Sequence, residues 1–490
     1  MLAMMRVNEK TEFILKSYLT IFAPASLIFN FTQVAYANNA TEFVKELKEH
    51  YQSTRSIKAF SLTHSYLGQS NPYQSWDFKV PTRYKAFKVT DIDMTNEHYY
   101  QNVVHHYTGG LYFDEVHFQN DRHSLRYERN GISLGKRAAP QNMKSYERYK
   151  NLTLMNIDFF AVNPLLEEQN VAQNVVYSKA NNKVTLTHHA SQKSEIEYTF
   201  STNPIRLNSI NNKTRNRIFI YDDYKYNNGF YLAHSLIKHY NGDTLPSFIT
   251  RIEAFNTIDR IEPEKLVLPQ GFYLKQSPNN RALKVTSIAN KLYLITDESN
   301  HYNTLFYVND NDITVLGVPR NANMAVDIIE KIKQVQPDKS ITGVYVTHPY
   351  SDHIAGLVPF VDNGATVYAD SYTISAIKQY AKFKNDISRF KFSPITHGHK
   401  MYDIQFFVLE NARAKKQSFA YFKNAGIIFQ TDFLEIANDN TIAKLLPSYS
   451  HQFIQFVLQE KLNVKRIVGY HRNNNITKDV MEKSLKTNTL

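Results

Sequence analysis

Residues 344 to 356 read Val344-Tyr345-Val346-Thr347-His348-Pro349-Tyr350-Ser351-Asp352-His353-Ile354-Ala355-Gly356. Three apolar residues suited to a buried strand run straight into a polar loop that carries two histidines and a carboxylate. Asp352 and His353 at adjacent positions, with His348 just upstream, offer hard oxygen and borderline nitrogen donors, the mixture a zinc or iron site uses. The chain contains no cysteine. Disulfide frameworks, thiolate zinc sites, iron–sulfur clusters and a catalytic thiol are therefore excluded, and any transition metal must be held by His and carboxylate.

Outward from this loop the pattern alternates. Upstream, Lys291 to Thr296, Thr304 to Val308 and Ile313 to Gly317 read as strands, and Met324 to Ile332 carries helical spacing. Downstream come a strand at Ala365 to Ala369 and a helix at Ser371 to Tyr380. Strands follow at Phe406 to Leu409, Phe419 to Phe422 and Gly426 to Gln430, then a helix near Gln452 to Glu460 and a strand at Val464 to Val468. Strands alternating with helices imply a layered α/β domain. Its start is placed at the polar, turn-prone Ser277-Pro278-Asn279-Asn280, which assigns residues 278–490 to this domain.

The loop resembles the signature of the metallo-β-lactamase superfamily, Thr-His-x-His-x-Asp-His-x-x-Gly, with Tyr350 at the second His position. The resemblance runs from about Leu283 to the C-terminus. It includes the strand Gly364-Ala365-Thr366-Val367, the strand Gly426-Ile427-Ile428-Phe429-Gln430-Thr431-Asp432 and the late strand Ile467-Val468-Gly469-Tyr470-His471. It implies an αββα sandwich and a metal set of His348, Asp352, His353, Asp432 and His471. One zinc ion per chain is expected, another divalent metal being the alternative.

Two positions depart from that pattern. The family's Pro-Asn-Ala-His-Thr stretch is here Glu410-Asn411-Ala412-Arg413-Ala414, so Arg413 and Tyr350 stand where two first-site histidines would be. A guanidinium stays protonated and cannot ligate, and a tyrosine ligates only as phenolate. The second metal position is complete, with two imidazoles and two carboxylates in Asp352, His353, Asp432 and His471. Arg413 is either a charge substitute that clamps an oxyanion or substrate carboxylate, or the salt-bridge partner of Asp352 or Asp432 in a dead site. Asp352, Arg413 and Tyr350 are the catalytic candidates. His397 and His399 match no ligand position and read as rim or surface residues, and Glu435 reads as solvated.

The half before residue 278 is different. Asn39 with Glu42 resembles a capping box ahead of a helix bearing Phe43, Leu47 and Tyr51. From Ile57 to Asp259, short aromatic and β-branched runs are punctuated by Asn130-Gly131, Asn181-Asn182, Asn228-Gly229 and Asn241-Gly242, dipeptides that tolerate hairpin turns. A large antiparallel sheet over residues 38–277 follows, so the whole chain is α+β. A helix before a long meander, with the Leu266 to Tyr273 ending, resembles the half-barrel of periplasmic lipoprotein-carrier proteins. The pairs His105-His106 and His188-His189 lie on strands, where neighbours point to opposite faces, so they read as surface or packing residues.

The 490 residues exceed one ordinary core, and 42% hydrophobic against 21% charged residues exclude wholesale disorder and a multi-span membrane protein. The net charge of +12 is scattered, which describes a solvated basic surface better than a nucleic-acid groove. Arg6, Lys10 and Lys16, an apolar run from Tyr18 to Phe31 and Ala35-Tyr36-Ala37 read as an export signal over residues 1–37, with Asn38 as the first mature residue. The run is too short and too interrupted to span a membrane. The expected protein is a periplasmic or secreted hydrolase acting on a small-molecule ester, lactone, thioester, amide or phosphoester. The alternative is a carrier for an apolar envelope ligand. Neither binds nucleic acid.

Overall fold

Two sheets in the C-terminal half carry apolar side chains on both faces, and that alternation dictates the layering. A computed structural model describes residues 39–167, 174–191, 193–274, 282–297 and 301–489. The export segment and the proposed boundary at 277–280 lie outside them. A seven-stranded sheet contains Leu283–Ala289, Leu292–Asp297, Asn303–Val308, Asp312–Leu316, Ser340–Tyr345, Thr366–Ala369 and Lys391–Pro394 in that order, the last four parallel. A five-stranded sheet contains Lys400–Met401, Ile404–Leu409, Gln417–Phe422, Ile427–Gln430 and Arg466–Gly469, the last two parallel.

Leu305, Leu316, Tyr345, Phe406, Ala420 and Phe429 point between the sheets. Their strand neighbours point outward, as a period of two requires. Phe306, Val315 and Val344 meet the helices Ala322–Val335, Leu357–Asp362 and Ser371–Gln379. Phe407, Phe419 and Ile428 meet Ser448–Gln459 and Lys478–Ser484. The order is helix, sheet, sheet, helix. No described helix is long and apolar enough to cross a membrane.

The N-terminal half forms a 14-stranded sheet. Ala59–Gln69 lies at its middle, antiparallel to Arg83–Asp93 on one side and to Phe248–Thr257 on the other. Phe60, Leu62, Ile92, Tyr99, Leu236 and Phe255 share the face covered by Phe43, Leu47 and Tyr51 of the helix over 39–50. Residue 39 is already helical, so the place for a cap lies outside the described residues.

Several expectations need correction. The meander is interrupted by helices Ser145–Leu154, Asp158–Ala161 and Asn163–Glu167, whose Phe159, Phe160, Leu165 and Leu166 also cover the sheet. A short apolar run does not distinguish a strand from a buried helical turn. Asn181-Asn182 and Asn228-Gly229 do make two-residue hairpin turns. Asn130-Gly131 does not: Asn130 Nδ2 donates to the carbonyls of Tyr112 and Leu445 at 3.0 and 3.2 Å, docking the large sheet on the C-terminal half. Asn241-Gly242 opens a longer connection to Phe248.

The two halves interlock. Leu111 and Ile132 enter the core beneath Ser448–Gln459, Trp76 Nε1 donates to the Asn411 carbonyl at 2.8 Å, and Lys415 pairs with Asp77 at 2.9 Å. His105 bonds Tyr66, His188 is buried, and His106 and His189 are exposed.

Gly356 closes the histidine loop where a Cβ would lie 2.3 Å from the Pro319 carbonyl oxygen and 2.9 Å from that of Asn321. Both obstacles are backbone. Gly356→Ala should therefore lower stability by about 1–3 kcal/mol, measured by urea denaturation. An unchanged midpoint would show that this crossing has slack.

Candidate metal centre

Strand ends deliver the donors to one place. Ser340–Tyr345 runs into His348, and the short helix Ser351–Ile354 turns Asp352 and His353 back towards the sheets. Ile427–Gln430 and Arg466–Gly469 are parallel neighbours with Gln430 opposite Gly469, so the chain beyond each places Asp432 and His471 side by side. Asp432 is held at φ +59°, a left-handed conformation that costs a non-glycine residue energy and marks a site whose geometry is imposed by its surroundings. The loop is stitched to the second sheet: Tyr345 Oη donates to Ser418 Oγ at 2.7 Å, and Ser418 Oγ donates to the Thr347 carbonyl at 3.0 Å. Tyr470 Oη donates to the Asp352 carbonyl at 3.1 Å.

All five sequence-derived donors converge. His471 Nε2 lies 3.2 Å from Asp432 Oδ1 and 3.4 Å from Asp352 Oδ2. His353 Nε2 lies 3.6 Å from Asp352 Oδ2 and 3.5 Å from Asp432 Oδ2, and His348 Nε2 lies 3.6 Å from Asp432 Oδ2. Two overlapping groups result, His348–His353–Asp432 and Asp352–His353–His471. His348 Nε2, both His353 nitrogens and Asp432 Oδ1 are buried without a hydrogen-bond partner. Donors on a tetrahedral ion with bonds of about 2.0–2.1 Å stand about 3.3–3.4 Å apart. The spacings and the orphaned imidazoles both fit a divalent ion. His348 Nδ1 lies 3.1 and 3.2 Å from the hydroxyls of Thr347 and Thr431, contacts that orient its ring with Nε2 towards Asp432.

Arg413 makes the salt bridge foreseen in one of its two sequence readings. Its Nη2 lies 2.7 Å and its Nε 3.3 Å from Asp432 Oδ2, so it is a salt-bridge partner, and the partner is Asp432 rather than Asp352. Its guanidinium also faces the rings of Tyr350 and Tyr449, at 5.2 and 5.7 Å. Asp432 Oδ2 is thereby engaged while Oδ1 is left for an ion beside Asp352, His353 and His471. Tyr350 Oη donates to the Arg413 carbonyl at 2.8 Å, and burial pushes its phenol up to about 12. It is held as a protonated donor. Burial opposes ionisation of Asp432, but Arg413 and the neighbouring histidines outweigh it and hold the carboxyl well below its ordinary value. For His471, burial is likewise outweighed by Asp432 and Asp352, which push the imidazole up to about 9.

Asp352, Asp432 and His471 form the floor of a cleft of about 460 Å³, with His348 and His353 buried behind them. Its walls include Tyr350, Arg413 and Glu435 from the C-terminal half and Tyr84, Tyr107 and Phe113 from the large sheet. Glu435 corrects the sequence reading: it is buried and paired with Arg472 rather than solvated. Gln74, whose Nε2 donates to Asp352 Oδ1 at 2.8 Å, had no sequence signal, because its contact spans 278 positions. His397 is exposed against Phe407 and Phe456, and neither it nor His399 lines the cleft.

No family model and no curated protein matches the chain. Similar solved structures are metallo-beta-lactamases. One from Erythrobacter litoralis is 13% identical over 41% of this chain and 94% of its own, with a TM-score of 0.33. FIM-1 from Pseudomonas aeruginosa, in a mono-zinc form, is 14% identical over 43% and 96%, with a TM-score of 0.33. One from Hirschia baltica is 11% identical over 42% and 98%, with a TM-score of 0.34.

His353 belongs to both donor groups, so His353→Ala should remove a bound ion, whereas His348→Ala should retain it; elemental analysis after zinc loading separates them. Equal loss would make His348 a ligand of that ion. Freeing Asp432 Oδ2 by Arg413→Gln should tighten zinc binding by about tenfold or more, since a cation a few ångströms away opposes the ion even at an effective dielectric near 20. Competition with a chromogenic chelator measures this, and unchanged affinity would refute the opposition.

Proposed function

We propose that this protein is a metal-dependent hydrolase acting on a small molecule in the cleft, with one divalent ion, zinc in the first instance, held by Asp352, His353, Asp432 and His471. The observation that carries this reading is the convergence of Asp352, His353 and His471 at ion-ligand spacing, with both His353 nitrogens buried and unpartnered, beside a cleft lined by Asp352, Asp432 and His471. Such an ion, when bound, supplies Lewis acidity and an acidified water.

The chain's own residues do the rest. Arg413 fixes the Asp432 carboxylate through two N–H contacts and leaves Oδ1 directed at the other donors. Gln74 orients Asp352 in the same way. Tyr350 spends its hydroxyl on the Arg413 carbonyl, which keeps the guanidinium-bearing loop in place. These are positioning roles, and they replace the direct clamp considered for Arg413. Tyr84, Tyr107 and Phe113, with Leu111 beside them, give the cleft a largely aromatic wall, and the Glu435–Arg472 pair gives it a polar one. An amphipathic ester, lactone, thioester, amide or phosphoester suits both. An activity in the periplasm or outside the cell, and a division near residue 277 between a β-rich unit and the metal-bearing one, are part of this proposal, on the sequence of residues 1–37 and 277–280. The aromatic wall also favours a second reading, a carrier for an apolar ligand.

Metal content and turnover discriminate the two. Zinc-loaded protein should hydrolyse at least one member of a chromogenic ester, lactone and phosphodiester panel. Activity should fall with chelation, return with zinc, and be lost in His353→Ala. Turnover that ignores the chelator would sink the metal mechanism. Stoichiometric zinc without turnover across the panel would favour the carrier.

A further inference from the structure

The core-bearing face of the large sheet changes character along its strands. Its lower part, around Phe60, Leu62, Ile92 and Tyr99, is apolar and roofed by helices. Beyond it the same face turns basic. His64 lies directly opposite Lys88, and the next row runs from Leu236 through Thr250, Tyr66 and Ala86 to His105, with Lys238 one step further on its strand. Tyr66 Oη and His105 Nε2 are 3.0 Å apart, and Lys238 Nζ donates to Asn156 Oδ1 at 2.5 Å, just where the helical roof ends.

One carboxylate, Glu115, acts on this basic group, through His105. Among the described residues, no hydrogen bond or ion pair to Lys88 is present and no carboxylate pairs with Lys238. The nearest acid along the Lys88 row, Glu115 beyond Val103, is engaged by Arg126 at 3.3 Å and His117 at 3.6 Å. Its cross-strand neighbour Glu128 is buried, accepts the Ser133 N–H, and is pushed by burial up to about 7. His64 is 4% exposed, and its Nδ1 has no partner. Lys88, Lys238 and His105 are half-buried around the buried His64. Buried polar groups are normally paired, so packing alone does not account for an unpartnered imidazole beside two lysines without carboxylate partners.

We propose that Lys88, Lys238, His64 and His105 form a binding site for an anionic oxygen group, a carboxylate or phosphate, separate from the metal centre. Two ammonium groups and two imidazoles supply N–H donors to several oxygens at once. Burial first, and the charges of Lys88 and Lys238 second, push His64 down to about 3, and burial with Lys88 pushes Lys238 to about 7. Burial lowers Lys88 to about 8, and burial with Lys88 lowers His105 to about 4. An anion would relieve all four. The site adjoins the cleft wall, since the His105 ring packs against Tyr84 and Tyr107 at centroid distances of 6.2 and 5.4 Å.

Calorimetric titration of the full chain, stripped of metal, with inorganic phosphate, octanoate and octyl phosphate tests the site. At least one probe should bind, and Lys88→Met and Lys238→Met should each weaken it by about 10- to 100-fold, the worth of one charge-assisted contact. His353→Ala should bind as the parent does. Lys88→Gln, polar and of similar reach, supports the result if Lys88→Met folds poorly by circular dichroism. Equal binding of phosphate and octyl phosphate assigns a free anion, and tighter binding of either octyl probe assigns the head of an amphiphile lying along the tyrosines. No binding by any probe, or parental affinity in both lysine variants, would overturn the proposal. So would loss of binding in His353→Ala alone, which would put the anion on the metal centre.

Discussion

Asp432 is a buried carboxylate that must be neutralised, and the centre is organised around that requirement. An uncompensated charge at this depth would cost several kcal/mol. Arg413 on Oδ2 meets the demand from one side, and the histidines crowd in from the other. The left-handed backbone at Asp432 shows how tightly its surroundings fix it. His348, His353 and His471 all lie within 3.6 Å of this side chain, and His353 and His471 also join it to Asp352.

The same pair explains why the donor set is divided. Three imidazoles and two carboxylates could serve two ions, but the guanidinium takes the oxygen around which the His348 group would assemble. Tyr350 sustains that choice by holding the Arg413 backbone. The two substitutions act together: one brings the charge, and the other fixes the loop that carries it. What remains open to an ion is the side of Asp432 that faces Asp352 and His471.

The large sheet contributes more than bulk. Its tyrosines wall the cleft, Gln74 in the connection between Ala59–Gln69 and Arg83–Asp93 orients a carboxylate of the centre, and His105 of the proposed anion site packs against that wall. The C-terminal layers therefore do not make the site alone. Trp76 and Asn130 fasten the two halves at separate points, which holds the aromatic wall over the donors.

Local pattern was enough for much of this. Alternating apolar residues such as Leu305 and Phe306 wrote both faces of a sheet into consecutive positions, and the strand-to-loop change at Val346-Thr347-His348 exposed the donors, because these are short-range regularities. Residue chemistry alone also showed that Arg413 could not ligate. Its partner was a different matter: Asp352 and Asp432 were equal candidates in sequence, and only the arrangement of strand ends selected Asp432. Glu435 looked solvated because its partner Arg472 lies on another strand's exit, and Lys88 met His64, His105 and Lys238 only through cross-strand register. The sequence determined which residues could bind a metal and which face each strand would bury. The tertiary structure decided which charges neutralise one another and which are left without a partner, since electrostatic pairing depends on distance in space and carries no periodic signature along the chain.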